Sequence, residues 1–102
     1  MNLVIKNDSQ LDKNIASLQW LVSGGWLNPK LVTNLHIMLS NDMVSEVVLQ
    51  DFSVKDSMWD GTILVKFPKK PDVVKVVNML IGWARADEVS MENTKTLRLW
   101  WD

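Results

Sequence analysis

The chain has 102 residues, eleven basic and twelve acidic side chains for a formal net charge of −1, 47% hydrophobic residues, six Trp and no Cys. Without cysteine it carries no disulfide, zinc–thiolate site, iron–sulfur cluster or thiol nucleophile, and a reducing, cytoplasmic setting is expected. The near-neutral charge argues against a dedicated nucleic-acid binder and the high apolar content against disorder; no apolar run approaches the ~20 residues that cross a bilayer, and Met1–Asn7 is too short for a secretory signal, so no membrane contact is expected.

Leu3–Lys6 reads as a first strand, ended by Asn7-Asp8. Ser9 is the expected cap of a first helix, with Asp12 three residues on. Leu11, Ile15, Leu18 and Val22 then share one helical face, and Gly24-Gly25 stops the helix. Asn28 as cap and Pro29 at the first helical position open a second helix. Its inner face is Leu31, Leu35, Met38 and Leu39, and Asn41-Asp42 ends it. The short link between the two helices implies an αα-hairpin.

Ser45–Val54 reads as a strand, and the apolar run Val47-Val48-Leu49 implies burial on both faces or a bulge. Lys55–Asp60 is a polar loop closed by the turn signal Asp60-Gly61, and Thr62–Phe67 returns as the partner strand of a hairpin. Pro68–Pro71 breaks the chain, and Pro71 and Asp72 open a third helix with apolar Val73, Val76, Val77, Leu80, Ile81 and Ala84. Its β-branched run has weak helix propensity, so a strand over 73–84 is the competing reading. Glu88–Asn93 reads as a connection and Thr96–Trp101 as the last strand.

The resulting order is β-α-α-β-β-α-β. With the paired helices counted as one crossover, it is similar to the split β-α-β order of ferredoxin-like folds. The expectation is a single α+β domain over residues 1–102, with an antiparallel sheet and helices packed on one face. Leu3, Ile5, Ile63, Val65, Phe67, Leu97, Leu99 and Trp101 would face the helices. Val4, Lys6, Thr62, Leu64, Lys66, Arg98 and Trp100 would face away.

That outward set mixes apolar side chains with cations, the composition of a partner surface rich in Trp and Arg. The candidate partner-binding residues are therefore Trp100, Arg98, Leu64, Lys66, Val4 and Lys6, with Trp59 at the tip of the polar loop. The RNA-recognition module shares the topology, but Thr62 and Leu64 stand where its stacking aromatics belong and Asp60 has the wrong sign. Asp56–Phe67 echoes a calcium loop, yet Met58 and Phe67 replace two ligands, so no metal site is assigned. His36 is the only imidazole and Ser40 lies four residues on, without the strained turn of a nucleophile. Ser23–Trp26 is no phosphate loop.

No catalytic residues and no cofactor are assigned. The expected function is a small, non-enzymatic, protein-binding module of inhibitor or adaptor type, such as mobile elements encode, with a homodimer through the sheet face as a variant. The alternative is a single-stranded nucleic-acid binder that stacks bases on Trp100 between Lys6, Lys66 and Arg98.

Overall fold

The apolar spacing of residues 11–22 builds two short helices rather than one. In the computed structural model, which describes residues 1–102, α1 spans Leu11–Ser17 and α2 spans Gln19–Ser23. The Leu18 amide between them bonds the carbonyl of Ile15 at 3.0 Å, a tighter turn than an α-helix makes. That tightening brings Leu18 and Leu21 into the core together with Leu11, and leaves Ile15 and Val22 half-buried. Ser9 is not the cap: the helix follows Gln10 without a side-chain cap, because Asp8 upstream takes the Gln10 amide at 2.9 Å.

Gly25, at a φ of 82°, turns the chain so that the Trp26 and Leu27 amides both reach the Leu21 carbonyl. α3, Pro29–Ser40, then starts as the sequence implies, with the Asn28 side chain accepting from the Lys30 amide at 2.8 Å. It buries Leu31, Leu35, Met38 and Leu39.

β1 (Leu3–Ile5), β2 (Glu46–Leu49), β3 (Thr62–Lys66), β4 (Glu88–Asn93) and β5 (Thr96–Trp100) form one sheet in the order β1-β2-β3-β5-β4. Every neighbouring pair is antiparallel. Two expectations change here. Glu88–Asn93 is a strand and not a connection, because Val89 and Met91 alternate with Glu88 and Ser90 in the two-residue period of a strand. The split β-α-β order is also absent, since β1 lies at an edge, directly antiparallel to β2. A single crossover helix returns the chain parallel to the strand it left. A helical hairpin reverses the chain twice, so it re-enters the sheet at the end it left and pairs antiparallel.

β2 is shorter than the sequence implies and stops at Leu49, because Asp51 takes a left-handed φ of 48° and turns the chain out of the sheet. Val47, Val48 and Leu49 are all buried, so the break in alternation reflects burial on both faces.

Residues 73–84 are helical. α4, Val73–Ala84, is capped by the Asp72 side chain, which accepts from the Lys75 amide at 3.2 Å, and ends at left-handed Arg85. Val76, Leu80 and Ala84 face the core. Buried Asn34 of α3 donates to the Met79 carbonyl of α4 at 2.8 Å and so fixes the two helices side by side.

The helices cover one face of the sheet, and a core of 22 buried residues lies between the layers. Ile5, Ile63, Val65, Phe67, Leu97, Leu99 and Trp101 of the expected inward set belong to it, and Leu3 packs at its margin. No helix is long and apolar enough to cross a membrane.

Candidate partner-binding surface

The open face of the sheet brings six of the expected residues together. Val4 lies opposite Val48, Val48 opposite Leu64, and Leu64 opposite Arg98, so these four form one row across the strands. Trp100 lies opposite Thr62 in the next row. Lys66 lies opposite Glu46.

The details differ from a patch of apolar groups ringed by free cations. Glu46, which the sequence reading did not single out, forms ion pairs with Lys66 at 3.0 Å and with Lys6 at 3.8 Å. The Arg98 guanidinium lies 6.0 Å from the centre of the Trp100 ring. Val48, Leu64, Thr62 and Thr96 are buried, and Trp100 and Arg98 are half-buried. Long side chains of the face therefore lie across its own apolar centre, a common use of Lys and Arg stems. Val4 alone of the expected apolar residues is exposed.

Trp59 is not on this face. Its indole N–H donates to the Thr62 carbonyl at 3.1 Å, and its ring packs against Trp101, with centroids 5.5 Å apart, and against Trp26 at 6.2 Å. The loop tip thus folds back onto one end of the molecule, where Trp20 also sits against Phe52. Asp56 of the same loop pairs with Ser53. His36 meets Asp12 of α1 at 3.1 Å, while Ser40 donates to the Ile37 carbonyl, so these two are not an acid–base pair.

A group of exposed apolar side chains lies where the helical layer ends. α4 has α3 on one flank only. Met79 and Trp83 lie on that flank, through the Asn34 bond and through Lys30, whose ammonium is 6.0 Å from the Trp83 ring. Helical geometry puts Val77, Ile81 and Val74 on the opposite flank, away from α3 and toward the β4 side of the sheet.

On β4, Val89 pairs opposite Leu99 and Met91 opposite Leu97, so both point to the helical side. No helix reaches over them. Val74 is 72% exposed, Ile81 54%, and Val89 and Met91 45% each. All six residues of β4 are exposed, and its outer edge pairs with no strand.

The signal for this strip was present in the sequence: α4 has a wider apolar face than one helix–sheet contact needs, and residues 88–91 alternate. The chain matches no protein family, no curated protein and no solved structure.

Proposed function

We propose that this chain is a non-catalytic protein-binding module, of inhibitor or adaptor type, and that it meets its partner along β4 and the free flank of α4. The observation that carries the reading is the uncovered apolar strip of Val74, Ile81, Val89 and Met91 beside an unpaired strand edge. Large exposed apolar patches on small domains mark interaction sites. A free edge adds main-chain hydrogen bonds to the contact when an extended segment docks as a further strand.

The partner segment is an extended one whose apolar side chains alternate onto Val89 and Met91. β4 carries Glu88 and Glu92 and no cation, so a segment bearing Lys or Arg is favoured over a second copy of β4. Protein is preferred to single-stranded nucleic acid for a related reason. Glu46 occupies both Lys6 and Lys66, and Arg98 rests on Trp100, so the open face offers little free positive charge to phosphates.

A pull-down from the lysate of the source cells tests this with the wild type, Met91→Glu and Trp100→Ala. A partner held by the wild type and by Trp100→Ala, and lost with Met91→Glu, supports the reading. A partner lost only with Trp100→Ala moves the contact to the open sheet face. A pure protein that sediments as a dimer, and that Met91→Glu makes monomeric, replaces the foreign partner with a second copy.

A further inference from the structure

Four of the six tryptophans converge around the turn before β3 and the residue after β5, apart from the residues of the proposed contact. Trp20, Trp26, Trp59 and Trp101 line an open hollow of about 260 Å³ together with Asp60 and Asp102. No Lys, Arg or His lines it.

The ring orientations are held by the fold. Trp59 and Trp101 spend their indole N–H groups on main-chain carbonyls, of Thr62 at 3.1 Å and of Ala84 at 3.0 Å. The Trp26 ring stands nearly perpendicular to Trp59, at 86°, and Trp101 is tilted from Trp59 by 46°. Trp26 lies over Gly24, where an added Cβ would stand 3.3 Å from its Cδ1. Asp60 uses one carboxylate oxygen to accept from the Thr62 amide at 2.8 Å, and its other oxygen has no protein partner.

We propose that this hollow binds a methylated ammonium group. The faces of indole rings carry negative electrostatic potential and attract a cation that sheds its water readily, as a quaternary ammonium does. Trp26, Trp59 and Trp101 pack on one another, with centroids 6.2 and 5.5 Å apart, so they form one aromatic wall that a cation meets from the open side, and the two carboxylates of the lining add long-range attraction. The lack of any cation in the lining removes the repulsion that would oppose it. The volume lies just below the usual range for drug-sized ligands and suits a single small head group. Because the fold already orients Trp59 and Trp101, binding orders few side chains.

Tryptophan fluorescence titration tests the site with three probes: choline, a short peptide containing trimethyllysine, and 3,3-dimethylbutanol, the uncharged isostere of choline. The expected result is a saturable change with at least one of the two cations, about tenfold weaker or absent with the isostere. Trp26→Ala, at a ring that is already 49% exposed, should abolish it, and Asp60→Asn, which keeps the acceptor for the Thr62 amide, should weaken it several-fold. Trp100→Ala, on the open face, should leave it unchanged. Choline binding as well as the peptide identifies a free small cation as the ligand; a peptide about tenfold tighter identifies a methylated lysine side chain. Absence of saturation with either cation, equal affinity for the isostere, or binding indifferent to both Trp26→Ala and Asp60→Asn overturns the proposal. Circular dichroism of each variant shows that the fold is kept.

Discussion

The Trp101 amide donates to the Gly61 carbonyl at 2.8 Å, and the Trp101 carbonyl oxygen occupies the place a side chain on Gly61 would need. The turn before β3 is thereby locked to the end of β5, and Gly61 adopts a φ of 87° that other residues resist. Both the chain end and the tryptophan-lined hollow depend on this close approach.

Gly61→Ala should therefore cost on the order of 3 kcal/mol, from the left-handed backbone and the steric conflict together. Urea unfolding followed by tryptophan emission measures it. An unchanged midpoint would mean that the two segments separate without penalty.

Asn34→Ala removes the bond that fixes α3 to α4. A loss of about 1 kcal/mol is expected, typical of one hydrogen bond from a buried side chain. Thermal unfolding checks the value, and amide exchange should show α4 opening more often than in the wild type.

How much of this was legible beforehand can be seen residue by residue. The helical spacing of Leu31, Leu35, Met38 and Leu39, the Asn28–Pro29 start and the two-residue alternation of Ile63, Val65, Leu97 and Leu99 all led to the correct faces, because each is a local pattern. Strand order was not legible. It depends on how many times the helices reverse the chain, and two helices were counted as one crossover. β4 was missed because an edge strand with few core contacts carries a weak apolar signal. Glu46 was missed because its importance lies in lying between Lys6 and Lys66 across three strands, which no spacing along the chain reveals. Trp59 was expected on the partner surface, and only its packing against Trp26 and Trp101, which no spacing along the chain reveals, shows it folded back.

Glu46→Gln frees both lysines of the open face. Stability should change by less than about 1 kcal/mol, since partly exposed ion pairs contribute little. The face becomes more basic, so weak, salt-sensitive quenching by single-stranded oligonucleotides should appear in the variant and exceed that of the wild type. Strong quenching in the wild type itself would favour the nucleic-acid reading.

Met91→Glu and Ile81→Glu place charges on the uncovered strip. Each should change stability by no more than about 0.5 kcal/mol, as substitutions at exposed sites generally do. Chemical denaturation checks this. A large loss of stability would show that these side chains are packed in solution and are not a free surface.

The central claim is that a partner docks on β4 and the adjoining flank of α4. Amide hydrogen exchange with the captured partner, bound and free, tests it most directly. The account predicts new protection along Glu88–Asn93 and slowed exchange in α4, with β1 at the opposite edge of the sheet unchanged. Protection confined to β1, or no change along β4 in a saturated complex, would contradict it.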